Sequence, residues 1–228
     1  MARKVSSRAK LRLFGAILLL ALVGGAAGWW HLRHWAPERA VYPLQGIEVG
    51  SVDGEADFRA LKAVGADFVY LDASASAFAR DPVFVANLEA ARSARLQVGA
   101  VHKYDPCQPA DKQAGNFVTV VPRDAKMLPA AVELEQLADD CPIKVSDAAI
   151  ESELTTFLNQ VETHSGKPSI LKLGRQFEER YHIAARIDRN LWLTRDRLQP
   201  EYAGRPWTLW PANPALANPA GGAAMRWI

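Results

Sequence analysis

The longest apolar stretch of the chain lies near its N-terminus, where residues 13–30 contain no charged side chain. Five basic residues precede it: Arg3, Lys4, Arg8, Lys10 and Arg12. Eighteen apolar residues come close to the shortest helix that crosses a bilayer, and a basic flank stays in the cytoplasm under the positive-inside rule. The pattern therefore predicts a cytoplasmic segment over residues 1–12 and a transmembrane anchor over residues 13–30.

A cleaved signal peptide is the alternative interpretation of this stretch, because the small residues at 24–28 suit a signal peptidase. Both interpretations export the rest of the chain. We expect an inner-membrane protein with its N-terminus in the cytoplasm and its main domain in the periplasm, or a secreted protein if the segment is cleaved. Residues 31–44 carry two prolines and mixed charge without a period, which predicts a linker before a domain over residues 45–228.

Short apolar segments alternate with helical patterns through this domain. Predicted strands cover 46–49, 68–71, 98–102, 130–135 and 169–173, and predicted helices follow them at 57–64, 82–95, 110–120, 146–164 and 176–182. Three more strand-like segments, 191–193, 207–210 and 224–228, have no helices between them. Such alternation is typical of a parallel sheet covered by helices. We predict an α/β fold, an irregular TIM-like barrel of five β/α units completed by strands alone.

The charge and the cysteine content indicate which partners and which cellular compartment to expect. The formal net charge is only +2, and without a basic stripe no nucleic-acid partner is expected. His and Cys are not at metal-ligand spacing, so no metal or other cofactor is expected either. Cys107 and Cys141 follow the third and fourth predicted strands, whose loops emerge side by side. An oxidising compartment would let them form a disulfide, with two free buried thiols as the alternative.

Three acidic residues lie at the carboxyl ends of predicted strands. Glu133 and Glu135 are two positions apart on the fourth strand and therefore point to the same face. In barrel enzymes that end is the active face, and a close carboxylate pair supplies the general acid that glycosidic cleavage needs. The pair alone would also fit a solvated strand edge. Glu48 strengthens the first interpretation, because a charge among apolar residues needs a partner or a cleft.

Several segments resemble glycoside hydrolase family 25, the peptidoglycan-cutting muramidases or Chalaropsis-type lysozymes. The resemblance runs in order from about residue 43 to residue 210 and rests on the segments QGIEVG (45–50), GADFVY (65–70), GAVH (99–102), AVELE (131–135), PSIL (168–171), LWL (191–193) and PWTLW (206–210). It implies a barrel of five β/α units followed by three strands, which agrees with the hydrophobic pattern.

The resemblance also implies roles for individual residues. Glu135 matches the family's proton donor, while Glu133 and Glu48 stand where the family has Asp. His102 matches the third-strand His, which leaves it either a cleft residue or a buried, satisfied one. The candidate sugar-binding set also contains Tyr104, Trp192 and Trp210. For the two tryptophans, core packing is the alternative. Asp72 is a further candidate, with a salt bridge to an Arg as its alternative.

Other positions depart from the family pattern. Residues 72–76 replace its KATEG segment and lose the Lys and the Glu, Pro211 replaces a Gln, and residues 224–227 lack the acid of the family's last strand. Replacing Asp by Glu moves a carboxylate by about one methylene, and a misplacement of about 1 Å can lower a rate about a hundredfold.

The function that the resemblance implies is hydrolysis of the β-1,4 bond between N-acetylmuramic acid and N-acetylglucosamine. The partners would be peptidoglycan glycan strands and the inner membrane, and we expect a monomer. The alternative is a catalytically inactive barrel that binds glycan or acts as an envelope scaffold. Retaining, inverting and substrate-assisted mechanisms all stay open.

Overall fold

The computed structural model describes residues 7–217 and 225–228, which separate into two compact units, Met1–Trp35 and Ala36–Ile228. The first contains helix α1, Ser7–His34. Within the described residues, one helix segment, Lys10–His34, is long and apolar enough to cross a membrane. Residues 31–34 are therefore helical, which corrects the predicted linker. The rest of that linker from Ala36 onward belongs to the second unit.

The second unit alternates strands and helices in the predicted order. Its described strands are β1 Gly46–Val49, β2 Phe68–Ala75, β3 Ala79–Arg80, β4 Gln97–Lys103, β5 Ala131–Leu134, β6 Ile170–Leu173, β7 Asn190–Leu193, β8 Asn213–Leu216 and β9 Met225–Trp227. Its described α-helices are α2 Phe58–Ala63, α3 Phe84–Ser93, α4 Ala110–Val120, α5 Asp147–Ser165, α6 Arg175–Tyr181 and α7 Ile183–Arg186.

One sheet contains these strands in the order β7-β6-β5-β4-β2-β1-β9-β8, with β3 paired to β2. Neighbours from β7 to β1 are parallel, whereas β9 is antiparallel to both β1 and β8. A parallel sheet with helices between its strands is the mixed α/β arrangement that the sequence predicts.

The sheet is strongly curled, as one aromatic contact demonstrates. Four strand spacings separate β2 from β7, about 19 Å in a flat sheet. The ring centroids of Tyr70 on β2 and Trp192 on β7 are nevertheless only 5.2 Å apart. Both rings belong to a small apolar cluster with Val101, Ala131 and Ile170, one residue from each strand in between. The concave face of the sheet is therefore filled by side chains, while a larger core lies between the sheet and the helices.

Local capping accounts for the best-defined helix, α5. The Ser146 hydroxyl accepts a hydrogen bond from the Ala149 amide, which satisfies a free donor of the first turn. Gly166 ends the helix in the left-handed conformation, with φ of 71°. The predicted helix bounds of 146–164 are thereby confirmed to within about one residue.

The strands of the structure differ from the predicted ones in four places. Residues 207–210 form only an isolated bridge between Leu209 and Trp192, since Pro206 and Pro211 flank a segment too short for a regular ladder. The β2–β3 hairpin was not predicted. Strand β8 lies in a stretch rich in Pro, Ala and Gly, and an edge strand tolerates its Pro214. Strand β5 ends at Leu134, so Glu135 lies just beyond it. Ala224, the first residue of the last predicted strand, lies outside the described residues.

A disulfide joins Cys107 and Cys141, as predicted, with 5.2 Å between their Cα atoms. Cys107 follows β4 and Cys141 follows β5, so the bond links two adjacent loops at the carboxyl ends of the strands.

Replacing both cysteines by serine should lower the free energy of unfolding by about 3–4 kcal/mol, because the bond closes a loop with a sequence separation of 34 residues. Urea denaturation of the full chain in detergent would measure this loss. Reductant should destabilise the wild type to a similar extent and leave Cys107→Ser/Cys141→Ser unchanged. Equal stability of wild type and double variant would contradict the prediction.

Candidate active site

A buried lysine lies between two of the predicted acids. The Nζ atom of Lys172 on β6 is 2.5 Å from Glu48 Oε1 and 2.5 Å from Glu133 Oε2. The three side chains are 7%, 4% and 15% exposed, respectively. Glu133 lies directly opposite Lys172 in the parallel register of β5 and β6. The acids on β1 and β5 are therefore brought together through a shared counterion.

Further ion pairs extend this network to β9 and β2. Arg226 lies 3.4 Å from Glu48 and 2.7 Å from Asp53, on the turn after β1. Asp72 is 2.8 Å from Lys103 Nζ and 4.0 Å from Arg226. The predicted alternative for Asp72, an ion pair, is thus present, with Lys103 as its closer partner. We call Glu48, Asp53, Asp72, Lys103, Glu133, Lys172 and Arg226 the charge network.

Burial and ion pairing shift the pKa values of the charge network in opposite directions. Burial raises the pKa of Glu48, and the positive charges of Lys172 and Arg226 oppose that rise. Burial alone would lower the pKa of Lys172, but Glu48 and Glu133 together outweigh it and raise that pKa. Because two carboxylates face one ammonium group, Lys172 keeps its positive charge in this network.

Glu135 differs from the other acids. Its side chain is exposed, one residue past the end of β5. Among the residues that the structure describes, none forms a hydrogen bond or ion pair with it. Gly174 leaves room for it, since a Cβ atom at position 174 would lie 3.1 Å from Glu135 Cγ. Glu135 is therefore an accessible carboxyl group two residues along the chain from Glu133.

His102 is a core residue in this structure. It has no exposed surface, and its ring stacks on Phe157 at 4.7 Å. Its Nδ1 is 2.9 Å from Ser74 Oγ, and its Nε2 is 3.3 Å from Gln113 Oε1. Burial lowers the pKa of His102 to about 4, which keeps the ring neutral at physiological pH. The buried, satisfied alternative therefore describes His102 in this structure, and its role as a substrate contact stays a prediction.

Trp192 is also fully buried, which fits its core-packing alternative, and its place in a sugar groove stays a prediction. Its ring lies under the Lys172 ammonium, with 4.9 Å between Nζ and the ring centroid. Such a contact stabilises a cation held away from water. Trp192 therefore supports the charge network from below.

The other predicted binding residues expose little surface. Trp210 is 5% exposed and packs against Tyr42 and Trp207, and Tyr104 is 3% exposed beside Phe157. Asp72 is 6% exposed. Sugar binding by Tyr104, Trp210 and Asp72 stays a prediction. It would require small movements of the loops that expose these side chains.

Sequence reasoning missed Lys172 and Arg226. Lys172 is the single charge in the apolar strand 169–173, and the argument used for Glu48 applies to it equally. At residues 224–227 the family resemblance indicated only that the acid of the last strand is absent, and it did not predict a role for Arg226. Within residues 7–217 and 225–228, no cluster of three His, Cys, Asp or Glu side chains has a geometry suited to a metal ion.

Acidic side chains at the carboxyl ends of a curled parallel sheet are the arrangement of barrel hydrolases. The sequence profile described as Glycosyl hydrolases family 25 matches residues 47–211, and the chain belongs to that family.

Solved structures share the fold. The family 25 glycosyl hydrolase of Bacillus anthracis superposes with a TM-score of 0.77 at 23% identity, covering 86% of this chain and 90% of its own. The lysozyme of Streptomyces coelicolor gives 0.71 at 20% identity, covering 81% and 91%. Among curated proteins, the uncharacterised YegX of Escherichia coli K12 is 25% identical over 180 residues. That match covers 75% of this chain and only 63% of YegX.

Replacing Lys172 by Met should lower the free energy of unfolding by about 3–5 kcal/mol at pH 7, because two buried carboxylates lose their shared counterion. Burial already raises the pKa of Glu48, and loss of the ammonium would raise it further. A carboxyl whose pKa rises on folding destabilises progressively as the pH climbs above its unfolded value. The loss should therefore be larger at pH 7 than near pH 4.

Urea denaturation of both proteins across this pH range would measure the effect. Lys172→Met/Glu48→Gln, which also removes the buried charge of Glu48, should recover part of the lost stability. An unchanged stability of Lys172→Met at pH 7 would show that the network contributes nothing.

Proposed function

We propose that this chain is a cell-envelope muramidase that binds peptidoglycan at the carboxyl ends of its strands and hydrolyses the β-1,4 bond between N-acetylmuramic acid and N-acetylglucosamine. The observation that carries the proposal is the position of Glu135, an accessible carboxyl group two residues along the chain from the half-buried acid Glu133, in a member of family 25. Glycosidic cleavage needs an acid that reaches the leaving oxygen.

In this mechanism Glu135 donates its proton to the glycosidic oxygen as the bond from that oxygen to C1 breaks. Water supplies the hydroxyl group that C1 gains, either directly or after an intermediate, and its remaining proton restores Glu135. Glu133 lies next to the reacting centre and stabilises the positive charge that develops there or orients a substrate acetamide. Lys172 fixes the position of Glu133 through its 2.5 Å contact.

The second candidate function is glycan binding without hydrolysis. The specific observation in its favour is that Lys172 lies between Glu48 and Glu133 and offsets their negative charge. An oxocarbenium-like transition state is stabilised by unshielded negative charge. Arg226 adds a second cation where the family pattern has an acid. Both cations would slow the reaction while leaving a polar surface for sugars.

The cellular placement belongs to the same proposal. Helix α1 would cross the inner membrane with the basic N-terminus in the cytoplasm, or be removed as a signal peptide. The second unit, a barrel of the (β/α)5(β)3 type that acts as a monomer, would then reach peptidoglycan in the periplasm. The Cys107–Cys141 disulfide supports an oxidising compartment.

Replacing Glu135 by Gln should lower the release of reducing ends from purified peptidoglycan by at least about a hundredfold, because general acid catalysis is lost. The assay uses the full chain in detergent. Glu89→Gln, which changes an exposed carboxyl group on α3, is the matched control and should keep wild-type activity.

Two outcomes would contradict the muramidase proposal. Release that is equal in wild type and Glu135→Gln would exclude Glu135 as the acid. No release by the wild type, combined with sedimentation of the protein on the same peptidoglycan, would favour glycan binding without hydrolysis.

A further inference from the structure

The β2–β3 hairpin forms a wall above the charge network. Strand β2 pairs with β1 as far as Leu71, opposite Val49, and continues for four more residues to Ala75. At about 3.3 Å per residue, its end stands about 13 Å beyond the carboxyl end of β1. Strand β3 then turns back along this extension, with Ala79 opposite Ala75. The hairpin therefore rises over the end of the strand that carries Glu48.

A buried amide group holds this hairpin in place. Asn116 on α4 is 5% exposed, and its Nδ2 donates to the carbonyl oxygens of Ala79 at 2.8 Å and Ser76 at 3.2 Å. Its Oδ1 accepts from Arg80 Nε at 3.0 Å. The Ser76 amide also donates to the Lys103 carbonyl at 3.0 Å. The hairpin is thus tied both to a helix behind it and to the neighbouring strand.

Phe78 occupies the tip of this rigid hairpin and is 74% exposed. No other described aromatic side chain in the second unit is as exposed. Val52, on the turn after β1, is 82% exposed. The two loops are linked, because the Ser51 amide donates to Asp81 Oδ2 at 2.8 Å. The hairpin that carries Phe78 is therefore bonded both to Lys103 of the charge network and to the turn that carries Val52 and Asp53.

We propose that Phe78 is a platform on which the apolar face of a hexosamine ring packs, positioning a glycan strand over the charge network. A sugar ring has an apolar C–H face and polar edges, so it suits an aromatic ring beside ionic groups. The face of an aromatic ring is electron-rich and attracts such C–H groups. A lipid would instead remove water from Asp72 and Lys103 without replacing their hydrogen bonds.

The inference rests on the substrate class of the proposed function and not on hydrolysis itself. The exposed ring gains a partner only when a ligand binds, and the hairpin needs no reorganisation to offer it. Binding to such a pre-formed surface costs little conformational entropy. Trp192 and His102 are buried, and therefore cannot serve as platforms in this structure.

Calorimetric titration of the full chain in detergent with a soluble oligosaccharide of alternating N-acetylglucosamine and N-acetylmuramic acid tests the platform. All proteins carry Glu135→Gln, which prevents turnover during the titration. Phe78→Ala should weaken Kd by about tenfold, whereas Phe78→Trp should retain most of the affinity. Val85→Ala removes an exposed apolar side chain on α3, 60% exposed, and should leave Kd unchanged.

Thermal melting should be the same for all these variants, because Phe78 makes no core contact that its loss would remove. In the native background, Phe78→Ala should raise KM for release of reducing ends and leave kcat unchanged. An unchanged Kd in Phe78→Ala, or no binding of the oligosaccharide by the parent protein, would overturn the platform.

The two proposals fail separately. Hydrolysis that depends on Glu135 but has the same KM in Phe78→Ala would retain the muramidase and reject the platform. Binding that depends on Phe78, without any release of reducing ends, would retain the platform and reject hydrolysis.

Discussion

The contact of one ammonium group with two carboxylates is the constraint on which the arrangement of this site depends. Lys172 and Glu48 lie on β6 and β1, four strand spacings apart in the sheet, yet their polar atoms are 2.5 Å apart. The curl of the sheet makes this contact geometrically accessible, and pairing makes the buried charges tolerable. A flatter sheet would separate Glu48 from Lys172 and leave each with only the partner on its neighbouring strand, Arg226 for Glu48 and Glu133 for Lys172. The curvature of the fold and the charge balance of its concave face therefore have to be satisfied together.

Most of the sheet could be predicted because its parallel strands are covered on both faces and therefore read as short apolar runs. The same logic failed for β3 and β8. Strand β3 has two residues, both exposed, and its position depends on the Asn116 amide from a distant helix. Strand β8 contains a proline and exists through its pairing with β9. Elements that depend on tertiary partners rather than on their own hydrophobic pattern leave little trace in the sequence.

The acidic residues of the candidate site could be predicted from the sequence, but the cation that balances their charge could not. Strand position indicated that Glu48 and Glu133 share one end of the sheet, and the structure brings them together. Lys172, the cation that lies between Glu48 and Glu133, was absent from the predicted site. Lys172 enters from a strand whose sequence looked like ordinary core. Family resemblance could not reveal it either, since resemblance is read at positions that match and Lys172 lay outside the matched segment of its strand.

The hydrogen bonds of Asn116 allow the side chains of the hairpin turn to change while its backbone keeps its shape. Its Nδ2 group contacts main-chain oxygens only, so the shape of the wall depends little on which side chains the turn carries. Position 78 can therefore change while the backbone that presents it stays fixed. Antibody loops diversify in the same way, because the framework that fixes the loop ends is separate from the side chains that contact the ligand. In this fold, selection on ligand preference could proceed at the hairpin tip while the ionic groups of the concave face, where each change requires a compensating one, stay constant.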